Sequence, residues 1–127
     1  MKVGIKNRIK KTVSGDLTAK EMGSGRLDVF ATPAMVAMME EAAHTSVEAE
    51  LEEGQGTVGT SMTVSHLAAT PVGMEVTCES ELIEVDGRKL VFEIKAMDEA
   101  GLIGEAKHER FIIDSEKFLA KTNAKLK

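Results

Sequence analysis

Residues 31–56 read ATPAMVAMMEEAAHTSVEAELEEGQG, and their period decides what kind of protein this is. Thr32 is a natural N-cap, Pro33 suits the first helical position, and Gly54 and Gly56 close the run. The stretch therefore predicts one helix of about twenty residues. On a helical projection Val36, Met39, Ala43, Val47 and Leu51 share one arc, and Met35, Met38 and Ala42 widen it. A helix apolar on several sides has to be wrapped, and the rest of the chain supplies the wrapping.

Downstream, four segments read as strands: 57–66, 74–85, 89–97 and 102–113, with Asp86-Gly87 and the Asp98–Gly101 stretch as tight hairpin turns. Leu90, Phe92, Ile94 and Ala96 alternate with Val91, Glu93 and Lys95, the pattern of a sheet with one face on a helix. Upstream, Val3, Ile5, Ile9 and Val13 share one parity and Lys2, Lys6, Arg8 and Lys10 the other, so a first strand is expected there, blemished by Asn7 and Lys11. Residues 14–25 keep no period and read as a loop with a short turn near LTAKEM, and residues 115–127 as a frayed polar tail. Strand, long helix and antiparallel meander define an α+β layer arrangement in one domain spanning 1–127. An open edge strand would invite a second copy to continue the sheet, so a homodimer is expected.

Composition narrows the function. A net charge of -5 argues against nucleic acid or an anionic membrane as the main partner. No apolar run approaches membrane-span length, and the basic N-terminus lacks the apolar core of a secretion signal, so a cytoplasmic address is expected. Four Phe, with no Trp or Tyr, supply few stacking platforms, whereas eight Met give an adaptable interior. The single cysteine, Cys78, rules out an internal disulfide and reads as a small core residue.

Three polar residues stand out. Glu40 sits within the apolar arc, where desolvation would suit a carboxylate to acid or base work, although an exposed arc edge explains it equally well. Thr32 caps the helix on the simplest reading, while a hydroxyl at a helix N-terminus also sits where an anion is stabilised. His66, in TVSHLAATPVG (63–73), ends a strand, and a lone histidine there more often satisfies structure than catalyses. His44, four residues after Glu40, is in neither an HExxH motif nor a Cys/His cluster, so no metal site is expected. His108, in GEAKHERFII, is expected to hydrogen-bond within the last strand. Gly56 and Gly59 lie inside a strand, as a wall for an extended ligand would need, and their spacing fits no phosphate-binding loop.

Together ATPAMVAMMEEAA, GQGTVGTSMTVSHLAATPVGMEV and GEAKHERFII resemble the fluoroacetyl-CoA thioesterase-like branch of the hotdog-fold thioesterases. The resemblance runs over nearly the whole chain, and its most specific element is the spacing from the Thr-led helix through Glu40 to His66. It implies a hotdog fold, one long central helix wrapped by an antiparallel sheet, and a dimer with joined sheets and acyl-CoA sites at the subunit interface. Residue by residue it implies Thr32, Glu40 and His66 as catalytic and Gly59 as close to substrate, with no cofactor. Glu40 would be nucleophile or water-activating base, His66 the acid/base partner, and Thr32 the hydroxyl that orients Glu40 or water. The family's fluoroacetyl specificity depends on aromatic residues upstream of the threonine, and here GSGRLDVF has none before Phe30. A short or medium acyl chain is therefore expected, lined by methionines, with Lys and Arg at the mouth meeting the CoA phosphates. Two other functions suit the same fold: a non-catalytic acyl-CoA sensor and a hydratase. Retention of Thr32, Glu40 and His66 favours an enzyme over the sensor, and a hydratase would use an Asp/His arrangement not found here.

Overall fold

The computed structural model describes residues 1–126. Among them the strands are β1 (Lys6–Thr12), β2 (Gln55–His66), β3 (Glu75–Asp86), β4 (Lys89–Asp98) and β5 (Gly101–Asp114). The helices are a single turn, α1 (Ala19–Met22), the central α2 (Thr32–Ser46) and a C-terminal α3 (Ser115–Asn123). The strands form one antiparallel sheet in the order β1-β3-β4-β5-β2, against which α2 packs. This is the expected α+β hotdog arrangement. Met35, Met39, Ala42 and Ala43 of α2 are fully buried with Val76, Leu82, Leu90, Phe92 and Ile94 of the sheet.

Asn7, which spoils the apolar parity of β1, docks the helix. Its Nδ2 donates to the Ala42 carbonyl at 3.0 Å and to Thr45 Oγ1 at 2.9 Å, while Ser80 Oγ of β3 donates to the same Ala42 carbonyl at 3.2 Å. Thr45 and Ser46 hydroxyls also take the Glu41 and Ala43 carbonyls. Side chains that occupy carbonyls in this way compete with the helical ladder. The α-helix accordingly stops at Ser46, after 15 residues, and a 3-10 turn over Glu48–Glu50 completes the run expected to be a longer helix.

Three further expectations are corrected. Val3 lies outside β1 and is 59% exposed: the backbone bonds to β3 reach back only to Gly4, whose N–H donates to the Leu82 carbonyl at 2.8 Å, and the regular ladder starts at Lys6, opposite Glu81. Residues 115–123 are helical, not frayed: the Asp114 side chain caps α3 by accepting from the Lys117 N–H at 3.1 Å. Thr32 is the first residue of α2, and the cap position falls to Ala31, which has no side-chain cap bond. Pro33 in the first turn supplies the pre-set φ that starts the helix without one.

The turns follow the reading closely. Gly87 takes a positive φ of 61° between β3 and β4, and Asp98 Oδ1 accepts from the Ala100 and Gly101 N–H groups between β4 and β5. No helix of the described residues is long and apolar enough to cross a membrane.

Candidate active site

Two polar clusters lie against α2. The first is held by backbone bonds that converge on the helix N-terminus. Ala31 N–H donates to the Leu17 carbonyl at 2.9 Å and Phe30 N–H to the Thr70 carbonyl at 2.8 Å. The segment after β2 is tied in turn: Leu67 N–H reaches the Ile103 carbonyl at 2.7 Å, and the buried Thr70 hydroxyl donates to Asp98 Oδ2 at 2.8 Å. These ties bring Thr32 Oγ1 to 2.7 Å from His66 Nδ1. The hydroxyl that was expected to cap the helix is therefore engaged with the histidine.

His66 Nε2 is buried with no hydrogen-bond partner, and burial pushes the ring's pKa below its ordinary value, opposed in smaller measure by the Ala68 backbone. At neutral pH the ring is uncharged, with one nitrogen free to accept a proton and the other to donate one. Thr32 and His66 open into a groove of about 310 Å³ whose other walls include Ala19, Val29, Phe30, Leu67 and Ala68. No methionine lines it. Met35, Met38 and Met39 are buried in the core, because their helix faces point into the sheet.

The second cluster lies two helical turns further on. Glu40 Oε2 accepts from Arg110 Nη1 at 3.2 Å and stands 4.0 Å from His108 Nε2. The Glu40 side chain is 42% exposed, so of the two readings of the helical projection the exposed arc edge holds, with the open carboxylate held by a guanidinium. Arg110, only 6% exposed, donates from Nε to Thr57 Oγ1 at 2.8 Å and from Nη2 to the Thr57 carbonyl at 2.9 Å. Burial lowers the Arg110 pKa and Glu40 raises it, and the guanidinium stays charged. His108 is 1% exposed; its Nε2 bonds to Arg110 Nη1 at 3.1 Å within the last strand, as expected, and its Nδ1 bonds across the sheet to the Ser61 carbonyl of β2 at 2.8 Å.

Gly59 belongs to this cluster. The β2–β5 register shifts between Gly59 and Ser61, and a Cβ built on Gly59 would lie 2.8 Å from Glu40 Oε2 and 3.2 Å from His108 Cε1. The glycine thus leaves room for the carboxylate, as bulges beside sites commonly do. Gly56 does something different: a Cβ there would meet Ser115 Oγ at 3.0 Å, so it admits the start of α3.

Of the residues singled out from sequence, Thr32 meets His66 and Glu40 meets Gly59. Eight residues along α2 separate the two pairs by about 12 Å of helix axis, so one chain does not gather all four. Arg110, Thr57 and Ser61 were missed, and of the two hydrogen bonds of His108 only the one within its own strand was expected. A signal for two of them existed: Gly104, Ala106, His108 and Arg110 share the parity opposite Glu105, Lys107 and Glu109, which turns a histidine and an arginine inward. Among the described residues no group of three or more His, Cys, Asp or Glu side chains is arranged to hold a metal ion, and His44 pairs with Glu48 at 3.3 Å. Cys78 is buried, and burial pushes its thiol up to about 12, the state of an unreactive core residue.

A central helix wrapped by this sheet, with polar residues at its N-terminus and midpoint, defines the hotdog class. A hot-dog-like protein from Thermanaerovibrio acidaminovorans superposes with a TM-score of 0.89 at 25% identity, over 98% of this chain and 93% of its own. Within that class, residues 13–116 match the model of the FlK family, described as fluoroacetyl-CoA-specific thioesterase, and the chain belongs to that family. It is 45% identical to the fluoroacetyl-CoA thioesterase of Streptantibioticus cattleyicolor over 98 residues, which cover 77% of this chain and 70% of that one. A crystal structure of the fluoroacetyl-CoA thioesterase FlK superposes with a TM-score of 0.94 at 37% identity, over 100% of this chain and 98% of that one. A mutant of FlK has been solved in complex with fluoroacetate and CoA.

Proposed function

We propose that this chain hydrolyses the thioester of a short or medium acyl-CoA to the free acid and CoA, with Thr32, Glu40 and His66 as its working groups and Gly59 beside the substrate. The observation that carries this reading is the 2.7 Å contact between Thr32 and His66, a hydroxyl withheld from helix capping and an imidazole with a free nitrogen, facing a groove. Family membership supplies the thioester.

A thioester carbonyl needs an attacking oxygen, a base to take its proton, donors for the developing oxyanion and an acid for the leaving sulfur. Glu40 serves as nucleophile, giving a mixed anhydride that water opens, or takes the proton of an attacking water. Both routes consume one water and release a carboxylic acid and a thiol. His66, neutral at pH 7, passes protons between the attacking oxygen and the sulfur, and Thr32 orients its partner through the shared hydrogen bond. Arg110 fixes the direction of the Glu40 carboxylate.

Because the two pairs stand apart on one helix, the working site requires a second copy. Strand β2 is an edge of the sheet, paired only with β5. Antiparallel pairing of two β2 edges carries the His66 end of one strand toward the Gln55 end of the other, and so toward the second copy's helix midpoint. The site then lies at the interface of a homodimer.

Thiol release from a panel of acyl-CoAs, from acetyl and fluoroacetyl to hexanoyl, tests the reading in wild type, Glu40→Gln and His66→Ala. Turnover of one or more esters, lost in both variants while they remain folded, is the expected result. Binding without turnover in wild type would make the chain a sensor, and neither binding nor turnover would leave only the fold.

A further inference from the structure

His108 is buried, titratable and not used by the hydrolysis just described. Its two ring nitrogens face partners of fixed polarity. Nδ1 lies 2.8 Å from the Ser61 carbonyl, which can only accept, so Nδ1 carries the proton. Nε2 lies 3.1 Å from Arg110 Nη1, and a guanidinium can only donate, so Nε2 carries the lone pair. Both contacts demand the same neutral tautomer. Arg110 Nη1 has two protons, and its two neighbours here are His108 Nε2 and Glu40 Oε2 at 3.2 Å. We propose that His108, locked as the neutral Nδ1–H tautomer, is a positioning residue for hydrolysis: its bare Nε2 holds one Nη1 proton of Arg110 and so aims the other at Glu40.

The groups around the ring fit this role. From α2 it meets the Glu40 carboxylate, from its own strand Arg110, from β2 the Ser61 carbonyl, and from β4 the Phe92 ring, with centroids 6.3 Å apart. A proton on Nε2 would set N–H against N–H beside a cation, and the guanidinium would lose its aim. Burial and Arg110 both oppose that proton, outweighing the Ser61 carbonyl and Glu40, which favour it. A neutral ring that accepts is the form that lets Arg110 use both Nη1 protons, since Thr57 takes the Nε proton and one Nη2 proton, four of the five guanidinium N–H groups in all.

The inference rests on the thioesterase reading for its kinetic consequence but not for its geometry, and the test separates the two. Long-range 15N–1H NMR of the imidazoles reads the tautomer directly. The expected result is a single Nδ1–H pattern for His108 from about pH 8 to about pH 6, across the ordinary histidine range, replaced by a mixture in Arg110→Met. An Nε2–H pattern, or no response to Arg110→Met, overturns the proposal whether or not the protein turns over any ester.

In the kinetic arm, His108→Phe keeps a ring against Phe92 and removes the acceptor. It should lower kcat by about tenfold with little change in KM, the mark of an interaction felt mainly in the transition state. Arg110→Met should mask it, the double variant being no slower than Arg110→Met alone. His108→Gln, which restores an acceptor, should recover most of kcat and serves if the Phe variant fails to fold. A folded His108→Phe with wild-type kcat, or effects that multiply in the double variant, would contradict the positioning role while leaving the thioesterase reading intact.

Discussion

The two polar clusters on α2 are built in opposite ways. At the helix N-terminus, Thr32 and His66 have each other and little else, one ring nitrogen is left without a partner, and the walls are mostly apolar side chains. At the midpoint, Arg110 is bonded to Thr57, His108 and Glu40, and the glutamate side chain is open to solvent while His108 and Arg110 are buried. A buried polar atom without a partner is costly unless a ligand or water completes it, whereas a saturated network fixes geometry. On the proposed function the sparse cluster receives the substrate, and the dense one is a mount that presents a single carboxylate.

The largest expected effect comes from removing the proton-handling groups. Glu40→Gln and His66→Ala should each lower kcat/KM by about 10²–10⁴-fold, the usual worth of a positioned acid or base. Glutamine is the sharper probe at position 40, because alanine would leave the buried Arg110 without its carboxylate and lower stability as well. A Glu40→Ala protein as stable as Glu40→Gln in thermal melts would show that the dense cluster is less interdependent than its hydrogen bonds imply.

Thr32→Val distinguishes a hydroxyl that serves the site from one that serves the helix. Since no side-chain cap is made at the α2 N-terminus, Tm should stay within a few degrees of wild type while kcat/KM falls by about 10–100-fold. A fall in Tm worth about 1 kcal/mol, with activity intact, is what loss of a cap would produce. Gly59→Ala pushes on the mount from the other side. Its Cβ, 2.8 Å from Glu40 Oε2, has to displace that partly exposed carboxylate, so kcat should drop severalfold with only a small change in Tm.

The smallest effect is in the pH dependence of stability. His66 and His108 both have pKa values below the ordinary 6.5 in the folded chain, chiefly through burial. As pH falls below 6.5 the unfolded chain takes up protons that the folded chain does not, so stability is full above that value and declines toward the folded pKa values. Melts between pH 7.5 and 5.5 should show Tm falling with pH, and less steeply in His108→Phe. A Tm that rises on acidification would contradict the neutral state of both rings.

The two clusters also differ in how far the sequence betrays them. The fold is legible because period and turn chemistry agree: the apolar run of α2, the alternation at 90–96 and the Asp86-Gly87 turn each name one element. Glu40 is legible as an oddity on an apolar arc, and Thr32 and His66 as residues at element ends. What is not legible is pairing. That Thr32 meets His66, 34 positions away, and Arg110 meets Glu40, 70 positions away, depends on sheet order and on the register shift at Gly59. The helix length fails for a similar reason, since it is Asn7 and Ser80, from distant strands, that occupy the carbonyl of Ala42.

The central claim is that the sparse cluster of one copy works with the dense cluster of another. It is tested most directly by co-expressing Glu40→Gln and His66→Ala chains with different tags, isolating the mixed dimer and following thiol release from the best acyl-CoA. Each variant alone should be nearly inactive, and the mixed dimer should regain about half the wild-type rate, because one of its two interface sites would draw Glu40 and His66 from unmutated positions. A mixed dimer as inactive as its parents, beside an active wild type, would mean that each chain completes its own site and would contradict the account.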